Sequence, residues 1–130
     1  MTKKVKKGRG FTLLELLIVV VVLAVLAGLA LPQYLRTVAR AKESEGWQNL
    51  ATLRSAELRY YAEWTEFMDS GSFSVLDISD PNTVTSRMFD YDVVPGSGDG
   101  TFDATATPVN PPCTGCRTLT ITNDGARSEF

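Results

Sequence analysis

Residues 6–35 have the sequence KKGRGFTLLELLIVVVVLAVLAGLALPQYL, and this stretch decides how the chain is organised. Leu16–Leu31 contains sixteen apolar or small residues and no charge. Counting from Phe11, about 20 to 25 residues are available, which is enough for a helix to cross a bilayer. Glu15 is the one charged residue between Phe11 and Leu35. The stretch therefore predicts a membrane-spanning helix with a single carboxylate near its start.

The charge of the chain is unevenly distributed. Residues 1–10 hold five of the 13 basic residues and no acidic residue, so the other 120 residues carry eight basic and 15 acidic residues, a net charge of −7. The basic start predicts that the N-terminus stays in the cytoplasm and that the acidic part crosses the membrane. An acidic body also argues against nucleic-acid binding.

The chain contains no histidine and two cysteines. It therefore lacks the commonest general base and cannot close a four-ligand zinc site of the usual kind. Asp99 and Asp103 flank glycines, but two carboxylates supply too few oxygens for calcium, and we interpret them as solvated turn residues. No nucleophile–base pair or phosphate loop stands out, so we predict a protein that is not an enzyme and needs no cofactor or metal.

Two general interpretations of the apolar segment compete with a more specific one. It could be an uncleaved membrane anchor. It could also be a secretory signal peptide, since the small residues at 28–30 suit a cleavage site after Ala30. Cleavage there would leave a small secreted binding domain. The length of the apolar run, the carboxylate at Glu15 and the helical pattern that continues past Ala30 argue against the signal peptide.

The third interpretation rests on the order of a lysine-rich leader, GRG, and FTLLELLIVVVVLAVLAGLALPQY. Over residues 8–34 this order resembles the N-terminus of type IV pilins and of type II secretion pseudopilins. The resemblance implies that a prepilin peptidase cuts between Gly10 and Phe11, that Phe11 becomes N-methylated, and that Glu15 is fifth in the mature chain. It also implies a long helix with an antiparallel sheet.

The resemblance further implies where the chain acts and with what. The precursor would lie in the bacterial inner membrane, and the mature chain would assemble with copies of itself into a helical filament at the cell surface. The other partners implied are the prepilin peptidase, an inner-membrane assembly platform and its ATPase. A pilus subunit is the interpretation we favour, and a type II secretion pseudopilin remains the nearest alternative. The roles of adhesion, motility, DNA uptake and secretion are left open.

Glu15 has a physical role in such an assembly. A carboxylate near a bilayer centre costs about 2.5–3.5 kcal/mol on insertion scales. A cut after Gly10 creates a cation at Phe11, and an isolated charge in an apolar medium is far costlier than a pair. Pairing of Glu15 with the amine of a neighbouring copy would therefore set the register of assembly.

Gly28 and Pro32 mark a weak point in the helix. Pro32 has no N–H group, and the carbonyl that this leaves unpaired is that of Gly28, four residues earlier. Glycine is itself a weak helix former. We expect a kink here, or a local loss of helix in a filament.

One long helix is predicted from about Thr12 to about Trp64, and its second half is amphipathic. An apolar face about 140° wide is predicted to pack on the rest of the chain: Leu35, Ala39, Trp47, Leu50, Leu53, Leu58, Tyr61 and Trp64. We divide the chain into a cleaved leader (1–10), an apolar helix (11–35) and a globular headgroup (36–130), which combines helix 36–64 with a sheet at about 88–130.

Alternating apolar residues predict the strands of that sheet. They occur at 88–94, 101–107 and 117–122, and a short fourth strand is expected at 126–130. A turn at 95–100 separates the first two, and a loop is expected between the helix and the first strand. One long helix followed by several short strands predicts an α+β fold, with an antiparallel meander packed on the helix.

Cys113 and Cys116 form a Cys-x-x-Cys motif between two of these strands. Prolines precede the motif and a strand follows it, unlike the helix start of a thioredoxin-like redox site. In an exported domain we expect a local disulfide that stiffens the loop. Pilins more often close a longer loop.

Overall fold

The computed structural model describes residues 10–68, 70–96 and 100–130, with residues 70–72 described by their backbone alone. The chain divides into two units, with the boundary between Leu35 and Arg36. One helix, α1 (Leu13–Trp64), supplies residues to both units. Most of the basic leader, residues 1–9, lies outside the described residues.

Both ends of α1 lie close to the predicted positions. The helix begins one residue later than expected, at Leu13, and ends at Trp64 as predicted. Thr65 follows with a φ of 58°, in the left-handed region where helices commonly end. Its N–H group donates to the carbonyl of Tyr61 at 2.8 Å, which satisfies one acceptor of the last turn.

A narrow stripe of α1 faces the interior of the headgroup, residues 36–130. Successive residues of the stripe are four and then three positions apart, so they lie along one side of the helix. The stripe consists of Ala39, Glu43, Gly46, Leu50, Leu53 and Glu57, all buried. It thus includes two carboxylates and a glycine.

The predicted apolar face of α1 was too wide. Leu35, Leu58 and Trp64 are exposed by 60%, 36% and 63%, so their predicted burial is wrong. Leu58 lies beside the stripe, and Trp64 is the last residue of the helix. The prediction was correct for Ala39, Leu50 and Leu53, while Trp47 and Tyr61 lie half-buried at the margin.

Four antiparallel strands form one sheet in the order of the sequence, which confirms the predicted α+β architecture. They are β1 (Phe89–Pro95), β2 (Phe102–Pro108), β3 (Leu119–Thr122) and β4 (Arg127–Glu129). Strands β1 and β4 therefore lie at opposite edges. Part of the predicted turn between β1 and β2, residues 97–99 with Asp99, lies outside the described residues.

Alternation places one face of the sheet on α1, with large residues opposite small ones. Tyr91 pairs with Ala106, and Val93 pairs with Ala104, all four buried. The helix contributes a glycine where the sheet comes closest. A Cβ atom on Gly46 would lie 2.8 Å from Cδ1 of Leu119 and 3.1 Å from Cε2 of Phe89, so a side chain here would force these neighbours to shift.

The connection between α1 and β1 is more regular than the predicted loop. It contains two short 3-10 helices, Ser70–Leu76 and Pro81–Thr83. Phe73 and Leu76 are three residues apart, so the three-residue turn of a 3-10 helix aligns them, and both are buried in the core. Apolar anchoring explains why the segment is ordered where turn residues alone predicted a loop.

Aromatic residues at the end of α1 pack into the same core. The ring of Phe67 lies 4.4 Å from that of Tyr61 and 4.7 Å from that of Phe102, measured between centroids. Offset and tilted aromatic contacts of this kind stabilise cores beyond the area they bury. They join the end of the helix to β2.

Candidate functional site

The N-terminal unit begins with a capped helix. The side-chain oxygen of Thr12 accepts a hydrogen bond from the N–H group of Glu15 at 3.2 Å, and its carbonyl accepts from Leu16 at 3.2 Å. Thr-x-x-Glu is the spacing of a capping box, which satisfies N–H groups that a helix start leaves free. Thr12 was not among the predicted functional residues, although the Thr-x-x-Glu spacing could have identified it.

Capping at Thr12 fixes the positions of the predicted cleavage and assembly residues. Gly10 and Phe11 precede the helix, and Glu15 lies in its first turn. The partial positive charge of a helix N-terminus favours a carboxylate there. Phe11 is 81% exposed. The backbone on either side of the predicted cut is therefore outside the helix.

The rest of the N-terminal unit is an apolar surface that the chain itself leaves uncovered. Every residue from Gly10 to Leu35 is exposed. By length and composition, α1 could cross a membrane, and its apolar portion has no buried residue. Helices that are apolar all round are normally covered by lipid or by other chains. This surface needs a partner.

Gly28 and Pro32 both lie inside α1. A Cβ atom on Gly28 would meet nothing within 4 Å, so no neighbouring side chain requires glycine here. The expected kink or loss of helix at these two residues stays a prediction about the assembled state.

In the headgroup, Glu43 holds α1 to the start of β3. Its Oε1 accepts from the backbone N–H of Arg117 at 2.9 Å and from Nε at 3.2 Å, and its Oε2 accepts from Nη2 at 3.0 Å. The Arg117 side chain, by hydrogen bonding to this carboxylate, lowers the pKa of Glu43 despite burial. Arg117 also forms an ion pair with Glu129 on β4.

Glu57 is the second buried carboxylate of the stripe. It is fully buried, and its Oε2 accepts a hydrogen bond from the N–H group of Met68 at 3.0 Å. It therefore fixes the chain where it leaves α1. The apolar periodicity gave no signal for Glu43 or Glu57, but their spacing from Leu50 by seven residues matches the stripe.

Cys113 and Cys116 form a disulfide bond, with their Cα atoms 5.6 Å apart. Cys113 is completely buried in the core, and Cys116 is half-buried. Nζ of Lys42 donates to the carbonyl of Pro112 at 2.7 Å, one residue before the disulfide. The disulfide loop is thus fastened to the same turns of α1 that bind Arg117.

Metal chemistry was considered for the acidic and cysteine residues that the structure describes. Within residues 10–68, 70–96 and 100–130, no group of three or more Cys, Asp or Glu residues is placed to hold a metal ion. Asp103 is exposed on β2. Asp99, the other carboxylate considered for calcium, lies outside those ranges.

Comparison with known proteins finds one matching family model and several similar proteins, each over part of the chain. A family model described as the prokaryotic N-terminal methylation motif matches residues 5–31. The chain is 40% identical to the type IV major pilin protein PilA of Myxococcus xanthus over 63 residues, covering 48% of this chain and 29% of that protein. It is 41% identical to the fimbrial protein EcpC of Eikenella corrodens over 63 residues, covering 48% of this chain and 40% of that protein.

A third relative is the type IV major pilin protein PilE1 of Neisseria gonorrhoeae. It is 41% identical over 61 residues, covering 45% of this chain and 37% of that protein. The chain thus spans less than half the length of these curated relatives. No solved structure matches it.

Proposed function

We propose that the chain is a structural subunit of a type IV pilus filament, which its match to the methylation motif and its similarity to pilin and fimbrial proteins support. The observation that carries the proposal is the exposed apolar surface of residues 11–35, which holds a single carboxylate at Glu15. A monomer in water would leave this surface uncovered, whereas lipid and then a bundle of identical helices would bury it. The proposed role is structural and not enzymatic.

Processing would prepare the chain for assembly. A prepilin peptidase would cut between Gly10 and Phe11 on the cytoplasmic side of the inner membrane, and Phe11 would then be N-methylated. The motif match over residues 5–31 supports this assignment. The basic residues before Gly10 favour a cytoplasmic N-terminus. After extraction from the membrane, the subunit would lie in a surface filament.

Glu15 would set the register between neighbouring helices. In the membrane, the helix N-terminus and the nearby interface moderate the cost of its charge. In a packed bundle of apolar helices, water is excluded, and the charge needs a partner. The amine created at Phe11 of an adjacent copy would supply it, provided that the helices are staggered along their axes.

Gly28 and Pro32 would let the helix adjust as it packs. The carbonyl of Gly28 lacks an N–H donor four residues later, because that residue is Pro32. Local loss of helix would lengthen the chain there, since extended residues rise more than the 1.5 Å of a helical residue. An inner-membrane platform and an ATPase that acts through it would perform the extraction.

One measurement tests the core of this proposal. The protein is recovered from a sheared surface fraction of the native cells, and its intact mass and N-terminal peptide are determined. We expect a chain that starts at N-methylated Phe11. A chain that starts at Leu31 would mean a secretory signal cut after Ala30, and a chain that keeps residues 1–10 would contradict the filament assignment.

A second measurement separates a pilus from the nearest alternative, a type II secretion pseudopilus. The same cleavage and methylation are expected for both. Deletion of the gene is followed by negative-stain microscopy of the cell surface and by an assay of secreted enzymes. Loss of surface fibres with secretion intact supports the pilus, and loss of secretion with fibres intact supports the pseudopilus.

A further inference from the structure

Two grooves of the headgroup lie on either side of the buried stripe of α1. The first, which we call the β4-side groove, has a volume of about 540 Å³ and is lined by Arg40, Ser44, Arg117 and Arg127, among others. The second, the β1-side groove, has a volume of about 470 Å³ and is lined by Glu45, Asn49, Asp80 and Arg87, among others. Because β1 and β4 are opposite edges of the sheet, the two grooves face opposite sides of the headgroup.

The β4-side groove keeps a positive charge after its internal pairing. Arg117 is paired with Glu43 and with Glu129. Among the residues that the structure describes, Arg40 and Arg127 take part in no ion pair. The guanidinium of Arg127 lies 5.0 Å from the centre of the Trp47 ring, a cation–π contact that orients it without neutralising it.

The β1-side groove keeps a negative charge by the same reasoning. Arg87 forms an ion pair with Asp90. Within the described part of the chain, Glu45 and Asp80 are absent from the ion pairs. The carboxylate of Asp80 accepts only a neutral donor there, the N–H group of Asn82 at 2.8 Å. The β4-side groove, lined by three arginines and two glutamates, thus has a net charge of +1, and the β1-side groove, lined by one glutamate, one aspartate and one arginine, has a net charge of −1.

We propose that the β4-side groove of one headgroup binds the β1 side of the next copy in the filament. This inference rests on the proposed function, since it requires repeated copies. When copies follow one another by a single repeated rotation and translation, each side of a subunit meets the opposite side of its neighbour. A subunit with a net positive charge on one side and a net negative charge on the other is complementary to itself in that arrangement.

The contact would orient the headgroups more than it would strengthen the filament. Exposed ion pairs contribute roughly 0.2–1 kcal/mol each, and their main effects are on orientation and on rejection of wrong partners. Burial of the apolar helices would supply most of the free energy. An isologous contact would bring together two β4-side grooves that each have a net positive charge, and their repulsion would oppose it.

Crosslinking in filaments tests the contact directly. The photoreactive residue p-benzoylphenylalanine is placed at Ser44, which lines the β4-side groove, and in a separate strain at Ser55. Both serines are exposed positions on α1, and Ser55 lines neither groove. After irradiation of purified filaments, adducts are mapped by mass spectrometry.

From Ser44 we expect adducts to residues 79–91 of another copy, and from Ser55 we expect none to that segment. Adducts from Ser44 to its own groove on another copy, to phospholipid or to a different protein would overturn the inference, as would equal yields from the two positions. Those results would leave the pilus assignment intact, because filaments would have formed. A native chain that forms no filament would instead refute the proposed function.

Exchange of charge provides a second test. Arg127→Glu and Glu45→Arg should each lower the yield of sheared filaments several-fold, and the double variant should recover part of the loss. The melting temperature of each purified variant shows whether its headgroup folds. A double variant that folds but is no better than the worse single variant would contradict the inference.

Discussion

Glu43 on α1 accepts three hydrogen bonds from Arg117, and one of them comes from the backbone N–H group at the entrance to β3. The side chain of Glu43 is only 6% exposed, while that of Arg117 is 47% exposed. A buried carboxylate is thus compensated by a partly solvated cation and by a backbone donor. This pair joins the helix to the sheet beside the disulfide.

Loss of the charge at Glu43 is expected to destabilise the headgroup. Glu43→Gln keeps the shape but weakens charge-assisted hydrogen bonds, and should cost about 1–3 kcal/mol in free energy of unfolding. Thermal unfolding of the full chain in detergent, followed by near-ultraviolet circular dichroism, measures this. Glu45→Gln is the matched control, since Glu45 is an exposed residue of the same helix, and it should be nearly neutral. Equal effects would contradict the role of Glu43.

The same carboxylate predicts acid sensitivity. The pKa of Glu43 lies below its ordinary value of 4.5, mainly through hydrogen bonding to Arg117, so the folded state holds this proton less readily than the unfolded state. The stabilisation is therefore present above pH 4.5 and is lost as the pH falls below it. Melting temperatures across this range should decline less steeply for Glu43→Gln. The pKa of Asp124 is also lowered, by a hydrogen bond from Thr122, so the melting temperature of Glu43→Gln should still fall somewhat with pH.

A side chain at Gly46 is expected to destabilise the headgroup. In Gly46→Ala, the gain in helix propensity of about 1 kcal/mol is opposed by contacts with Leu119 and Phe89, and overpacking typically costs about 1–3 kcal/mol. We expect a lower melting temperature. Gly28→Ala is the matched control, because its Cβ atom would meet nothing within 4 Å, and it should not lower stability. A stabilised Gly46→Ala variant would show that the sheet can move away.

Glu15 is expected to act in assembly and not in processing. Glu15→Gln and Glu15→Ala should both be inserted and cut after Gly10, yet they should give little filament, because the Phe11 amine of a neighbour would lose its partner. Immunoblots of membrane and sheared fractions measure both steps. Glu63→Gln, an exposed change at the other end of α1, serves as the control. Normal filament yield from both Glu15 variants would remove the charge pair from the mechanism.

Thr12 is expected to define the start of the helix. Thr12→Ala removes an N-cap and should destabilise the first turn by about 0.5–2 kcal/mol, whereas Thr12→Ser should retain the cap. Amide hydrogen exchange at Glu15 and Leu16 in detergent measures the effect, with faster exchange expected only for the alanine variant. Equal exchange in all three proteins would mean that Thr12 does not hold this turn.

Periodicity in the sequence predicted the elements of the fold well. Phe89, Tyr91 and Val93 alternate with charged or exposed residues, and that pattern alone identified β1 and its buried face. The same held for β2 and β3. The long helix was also predicted, because an apolar segment and an amphipathic segment follow each other, and α1 continues through Pro32, the one proline inside it.

Hydrophobicity located the buried face of α1 at Ala39, Leu50 and Leu53 but could not predict its width or its polar members. The stripe contains Glu43, Gly46 and Glu57, residues that an apolar pattern places outside. Glu43 is buried because Arg117 lies against it, and Gly46 because Phe89 and Leu119 lie so close that a side chain would force them to shift. Both causes are contacts distant in sequence. The cap at Thr12, in contrast, was visible in the Thr-x-x-Glu spacing.

The pairing of Glu43 with Arg117 also bears on the order of events during export. The two residues are 74 positions apart, and β2 lies between them. If the N-terminus stays in the cytoplasm, as proposed, the residues next to the apolar segment cross the membrane first, and Glu43 would remain hydrated until its partner Arg117 has been translocated. Completion of the headgroup is therefore timed by the arrival of the C-terminal strands, and a prematurely terminated translation product would carry an unfinished headgroup.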